Sequence, residues 1–255
     1  MKIIFVSLIL LLVLFVTVSA SFPFLPNYNS CVAEDGGLLK TQWKQMGGFE
    51  KFTPDKLRLG CWSTALAQIV YYHQLKPFGQ VQYISRQGYK INQKLDSLPF
   101  NFKLFSASID SNTTEEAANE MARYNYYAAL VVQKDFGTDR YMNKLAPARL
   151  FEKHFNVKAE RFISFHQIAP YTLGKLEKVI YNELNEKRPV FLHFANLKDF
   201  GHSLVIDGYC YKDGVFMVHT NQGQGGPTDG WYNFYKGILR PDDNALRVVY
   251  TFKPQ

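Results

Sequence analysis

Leu59-Gly60-Cys61-Trp62-Ser63-Thr64-Ala65-Leu66-Ala67-Gln68-Ile69-Val70 is a glycine turn followed by a cysteine that opens a run free of Gly and Pro as far as Leu75. The run predicts a helix with Cys61 at or near its first position. Trp62, Ala65, Leu66, Ile69 and Val70 recur at helical spacing, and Ala67, Tyr71 and Tyr72 widen the apolar face, so the helix is expected to be buried on most sides. A thiol at a helix N-terminus feels the positive end of the macrodipole, which favours the thiolate. Free cysteines are also among the most buried residue types. The stretch alone therefore leaves two readings open, an activated nucleophile and a core cysteine.

A distant fragment supplies what a nucleophile lacks. Gly201-His202-Ser203-Leu204-Val205-Ile206-Asp207-Gly208 is a Gly-His opening an apolar strand, and Asn221-Gln222-Gly223-Gln224-Gly225-Gly226 is a glycine corner closing the next one. Together they resemble the base-bearing half of papain-like cysteine peptidases. Gly60-Cys61 with Ala65 to His73 and Pro77, the upstream Leu38-Leu39-Lys40-Thr41-Gln42-Trp43-Lys44-Gln45, and Asp229-Gly230 are similar to the streptopain family within that class. The similarity runs in order from about Leu38 to the C-terminus. It implies a papain-like two-lobed fold, with the cysteine and histidine on facing lobes, and hydrolysis of peptide bonds. It also implies polypeptide substrates and no metal or organic cofactor.

An activated cysteine needs a base within hydrogen-bond reach and a group that holds the base in one tautomer. The resemblance makes His202 the base. Asn221 is its expected orienting partner, and Gln222 takes that part if the strand turns the other way. Gln45, by its place in the matched segment, is expected to join the Cys61 N–H in holding the oxyanion, with Gln42 as the alternative and a surface glutamine as the plain reading. Streptopain-like enzymes carry tryptophans at the variable positions of the corner, where this chain has Gln222 and Gln224. Those two are equally readable as a polar cleft wall. His193, inside an apolar strand without a preceding glycine, ranks below His202. His219 reads as structural, and His154 and His166 carry no signal. His73 fits a helix end. Gln68 shares the cysteine's helix face and is expected to satisfy buried backbone, and Asp207 a role in the turn before the next strand. No close Cys or His pair suggests zinc.

The chain has 255 residues and a formal net charge of +7. Met1-Lys2, the apolar run from Leu8 to Val16 and the small residues Val18-Ser19-Ala20 predict a signal peptide over 1–20. Its core is short for a membrane span, so no stable membrane insertion is expected after cleavage. Residues 21–37 read as a short arm and 38–255 as the peptidase domain, large enough for a sizeable core. Streptopain-like enzymes usually carry a long inhibitory pro-segment where this arm stands. The expectation is that latency, if any, comes from a proteinaceous inhibitor, from pH or from the arm. Basic residues are interspersed with acids, which argues for solubility and against nucleic-acid binding, and a monomer is expected. Three cysteines are an odd number. Either Cys31 and Cys210 bridge and leave Cys61 free, or all three are thiols in a reducing or acidic vesicle. The destination is the exterior or a lysosomal or digestive vacuole. Asn112-Thr113-Thr114 is a glycosylation sequon on an expected surface loop.

Helices are expected at Leu38–Gln45, from a Thr113–Glu116 capping box, over Tyr141–Phe155 with a break at Pro147, and over Thr172–Lys187. Phe78–Lys94 reads as loop and short strand. Apolar or alternating strands follow over 189–195, 201–209, 214–220, 230–235 and 245–252. Helices first and antiparallel strands last make an α+β domain. The leading functional expectation is a cysteine endopeptidase. Bacteriocin-processing peptidases share a Gly-Cys helix, but their glutamine stands about six residues before the cysteine, where this chain has Asp55. A peptidase-like binding or inhibitor protein is the non-enzymatic alternative, which the lost tryptophans favour and the retained Cys and His oppose.

Overall fold

In the computed structural model, which describes residues 26, 27, 29–142, 145–166 and 168–255, helix α1 runs Cys61–Tyr72. The signal-peptide expectation over 1–20 lies outside the described residues. Gly60 enters α1 at φ 90°, a left-handed backbone that residues with a Cβ avoid. A Cβ there would also collide with the Tyr141 hydroxyl. Every residue from Trp62 to Val70 is buried, as the wide apolar face requires.

Helix α2, Glu115–Val131, packs on α1. Its cap is Thr114, whose hydroxyl accepts from Ala117 N at 3.2 Å, and not Thr113. Thr113 is engaged one turn earlier, accepting from Asp110 N at 3.0 Å. Two other expected helices are corrected. Leu38–Gln45 is non-helical because tertiary partners take its backbone donors: Leu38 N bonds the Asp207 carbonyl at 2.8 Å and Gln42 N the Ala107 carbonyl at 2.7 Å. Among the described residues of Tyr141–Phe155, only the four-residue α3, Arg149–Glu152, is α-helical. Tyr141 instead ends a small ladder between β4, Lys134–Asp135, and β5, Arg140–Tyr141. Helix α4, Thr172–Asn185, buries Leu173, Leu176, Ile180 and Leu184, a stripe at helical spacing.

The main sheet is antiparallel. It contains β6 (Val157–Ser164), β7 (Val190–Ala195), β8 (Gly201–Lys212), β9 (Val215–Asn221), β10 (Gly230–Asn233) and β11 (Leu246–Pro254), in the order β10-β9-β8-β7-β11-β6. β6 was not expected from the sequence. A separate hairpin joins β2, Gln80–Ile84, to β3, Lys90–Lys94. Within the 21–37 arm, β1, Cys31–Val32, pairs with Cys210 and Tyr209 of β8. There Cys31 and Cys210 form a disulfide, 179 residues apart in sequence, and Cys61 is free. Closing so long a loop restricts the unfolded chain, an effect of up to about 5 kcal/mol.

Two apolar clusters fill the molecule. One surrounds α1 and α2 with Trp43, Phe49 and Tyr124 at its centre. The other lies between α4 and strands β7 to β9. Trp62 fastens α1 to the sheet, its ring 4.8 Å from Phe191 and 5.6 Å from Tyr250. Aromatic pairs at this range add to area burial, and this one fixes the residue next to Cys61.

Candidate active site

α1 and β8 meet at their starting residues. Cys61 is the first residue of its helix and His202 the second residue of its strand. The thiol and the imidazole line one cleft, close enough for each to shift the other's ionisation. His202 Nε2 lies 3.1 Å from the Gln222 carbonyl oxygen. A carbonyl only accepts, so Nε2 carries a proton and Nδ1 is left for the sulfur.

The electrostatics follow from this contact. Burial opposes ionisation of Cys61, but the hydrogen bond and charge of His202, joined by the Ser203 hydroxyl and N–H, outweigh it and draw the thiol below its ordinary range. Burial also acts against a charged His202. Its bond to Cys61, the sulfur's charge and the Gln222 carbonyl prevail and raise it above the ordinary imidazole range, with Arg58 opposing. Each partner favours the charged form of the other.

Gln45 is 4% exposed. Its Oε1 accepts from Arg58 Nε at 2.7 Å, while its Nε2 has no partner among the described residues. Leu59 N bonds the Gln45 carbonyl at 3.2 Å, which ties this residue to the turn that introduces Cys61. Gln45 and Cys61 line one cleft of about 600 Å³ with His202, Gln222 and Gln224. Gln42 is exposed and lines a different, smaller cavity beside Asp207 and His219.

Asn221 does not meet the imidazole with its side chain. Its Oδ1 accepts from Gln68 Nε2 at 2.9 Å and Gly223 N at 3.1 Å, and its Nδ2 donates to the Thr41 carbonyl at 2.6 Å. Gln222 meets His202 through its main chain. The Gln222 side chain is fully buried, with Nε2 on Thr220 Oγ1 at 3.1 Å and Oε1 without a partner among the described residues. Gln222 N donates to Asp229 Oδ1 at 2.7 Å, which fixes the peptide that presents the carbonyl. Gln68 satisfies a side chain, Asn221, where backbone was expected.

Asp207 is not in a turn. It sits at a bulge between Ile206 and Gly208 in β8, where its carboxylate accepts from Leu39 N at 3.0 Å and meets His219 Nδ1 at 2.7 Å. His193 lies one strand behind the site, with Nδ1 2.9 Å from Ser203 Oγ.

Several cleft residues had no signal in the sequence. Tyr141 accepts from Trp62 N at 3.0 Å and so covers the N-terminus of α1. Lys134 is buried, its amine donating to the Thr138 carbonyl at 2.6 Å and the Arg140 carbonyl at 3.3 Å. Arg58, Asp139 and Asp199 complete a cleft of mixed charge. On the far side of Tyr141 a second cavity, of about 460 Å³, is lined by Trp62, His193, Leu145 and Leu246, with Arg86 and Arg140 also in its wall. Among the described residues, the one cluster with metal-ligand geometry is Cys31, Glu34 and Cys210, and its two sulfurs are spent in the disulfide. Among the same residues no helix is long and apolar enough to cross a membrane.

A model of the peptidase C10 family matches residues 43–232. Among solved structures, active wild-type interpain A cysteine protease of Prevotella intermedia superimposes with a TM-score of 0.71 at 23% identity, covering 88% of this chain and 96% of that one. A fragment of prointerpain A from the same organism, carrying a cysteine-to-alanine mutation, gives 0.67 at 22% identity over 88% of this chain and 73% of that one. These likenesses establish a shared fold, with helices in the N-terminal half and an antiparallel sheet in the C-terminal half. The comparison with curated proteins finds no match.

Proposed function

We propose, from the premise that this chain belongs to the peptidase C10 family, that it is a cysteine endopeptidase in which Cys61 attacks the peptide carbonyl. One observation carries this reading: a free thiol at a helix N-terminus shares a cleft with an imidazole that draws it toward the thiolate and whose Nε2 is held by a fixed carbonyl. His202 keeps the sulfur ionised and then gives its proton to the leaving amine. The Gln222 carbonyl orients the ring, in the part that an asparagine side chain plays in papain-like enzymes. As the carbonyl oxygen becomes an anion, the Cys61 N–H and the unpartnered Gln45 Nε2 are its donors. Donors aimed at developing charge in a water-poor cleft are among the larger contributions to such a rate.

Polypeptides are the substrates that family membership implies. The Cys31–Cys210 disulfide supports an oxidising destination, the exterior or a vacuolar lumen. The exposed Asn112 is accessible to glycosylation there. The test is cleavage of an unfolded polypeptide by the purified protein in mild reductant. Activity that vanishes in Cys61→Ala supports the reading; full activity in that variant refutes it. A folded, reduced protein inert to peptides and to electrophilic peptide probes belongs to the binding or inhibitor class instead.

A further inference from the structure

Two consecutive residues of the turn that introduces Cys61 hold Gln45 by both its carbonyls. Leu59 N donates to the main-chain oxygen at 3.2 Å, and Arg58 Nε donates to the side-chain oxygen, Oε1, at 2.7 Å. Arg58, Leu59, Gly60 and Cys61 are one continuous stretch, so the segment that carries the sulfur also sets the glutamine. Arg58, Gln45 and Cys61 line the same cleft.

The two ends of a glutamine amide differ in what they can do: the oxygen accepts and the nitrogen donates. A guanidinium has donors and no acceptor. The end of the amide that faces Arg58 is therefore the oxygen, and the planar group turns its nitrogen away from the guanidinium. That nitrogen is buried and has no partner among the described residues, and Gln45 as a whole is only 4% exposed. An unpaired buried donor is costly, yet a flipped amide would set donor against donor at Arg58. The fold thus keeps an unused N–H in the wall of the cleft that contains the sulfur, ready for an oxygen that becomes an anion.

We propose that Arg58 is a positioning residue whose Nε–H fixes the orientation of the Gln45 amide, so that the cleft offers the oxyanion an N–H and not an oxygen. The proposal rests on Gln45 being the oxyanion donor of the peptidase reading, and it adds the group that decides which way that donor faces. Without Arg58 the bond that tells the two ends of the amide apart is lost. An amide turned the other way would set its own oxygen against the developing charge. Arg58 also carries a charge that acts against a protonated His202, so the test separates its hydrogen bond from its charge.

The experiment measures two quantities on the folded protein: hydrolysis of a fluorogenic peptide, and the affinity of a peptide aldehyde, whose adduct with a cysteine sulfur carries an oxygen where the oxyanion forms. Both are taken on the plateau of each variant's pH profile, so that a displaced His202 does not enter. Arg58→Met keeps the side chain's length and removes its donors. It is expected to lower kcat about tenfold at nearly unchanged KM and to weaken the aldehyde by the same factor, the scale of one hydrogen bond to a charged group. Arg58→Lys, which returns a donor, is expected to recover most of both. In a Gln45→Ala background Arg58→Met is expected to cost nothing more, because the group it directs is absent. Additive losses in that double variant assign Arg58 to the charge of the cleft and overturn the proposal. A raised KM at constant kcat makes Arg58 a substrate contact and overturns it too. Should Arg58→Met fail to fold, a crystal structure of the parent's aldehyde adduct decides: Arg58 on Gln45 Oε1 and Gln45 Nε2 on the adduct oxygen is the expected result, and either contact missing overturns the proposal. Cleavage indifferent to Arg58 refutes this proposal alone. Aldehyde capture that depends on Arg58 in a chain that cuts no peptide refutes the peptidase reading and leaves this one standing, and a parent that does neither refutes both.

Discussion

Gln68 on α1 donates its amide to Asn221 Oδ1 at 2.9 Å, joining the helix that begins with the sulfur to the strand end that precedes the imidazole's partner. Thr41 closes the ring, with Oγ1 on Gln68 Oε1 at 2.7 Å and its carbonyl on Asn221 Nδ2 at 2.6 Å. All three residues are buried. Three segments far apart in sequence are thus held by amides that have no water to turn to, the condition under which such bonds are strongest and their loss most costly.

Asn221→Ala is expected to act on the scaffold. It strands the Gln68 amide and the Thr41 carbonyl, a destabilisation of about 2–4 kcal/mol. Thermal unfolding should show a lowered Tm while the pH optimum of the remaining activity stays put. A large loss of kcat with an unchanged Tm would instead assign the Asn221 side chain to the imidazole.

Gln45→Ala should leave KM nearly unchanged and lower kcat by about 10²–10³, the usual effect of deleting one oxyanion donor. Steady-state kinetics on a fluorogenic peptide will show this. A rise in KM at constant kcat would make Gln45 a ground-state contact.

The pH dependence follows from two opposed shifts. Cys61 sits below the ordinary thiol range because the bond to and charge of His202 overcome its burial, and His202 sits above the ordinary imidazole range because the sulfur and the Gln222 carbonyl overcome its own. Acid protonates the sulfur, and alkali removes the proton that the leaving amine needs. The profile of kcat/KM is therefore expected to be a bell whose acidic limb belongs to Cys61 and whose alkaline limb belongs to His202. In His202→Ala, burial is left opposed mainly by Ser203, so alkylation of Cys61 should move to higher pH. An unmoved alkylation profile would deny the ion pair.

Replacing Cys31 and Cys210 by serine should lower stability by up to about 5 kcal/mol, measured by denaturant unfolding. Reactivity of Cys61 below the transition should persist, since the bridge lies at the far end of β8 from His202.

What the sequence disclosed were features with a local cause. Gly60 must adopt a backbone that other residues resist, and the run after it has helical period, so the place of Cys61 could be read. The strand bearing His202 was legible from its apolar run and the α4 stripe from its spacing. Leu38–Gln45 misled because its donors go to Asp207 and Ala107, residues that no window contains. Tyr141 and Lys134 enter the cleft from a two-residue ladder too short to leave a pattern. Asn221 was expected to hold the imidazole because side chains are what a sequence spells out. The group observed there is a main-chain oxygen, which every residue possesses and none advertises.

That oxygen has a practical consequence. A base steadied by the peptide group of residue 222 keeps its support whichever amino acid is written at that position, provided the Asp229 contact and the glycines around it preserve the bend. Gln222 itself is fully buried on Thr220, so the variable position is its neighbour Gln224, exposed in the same cleft wall, which can be changed as a specificity handle with the proton-transfer apparatus left undisturbed.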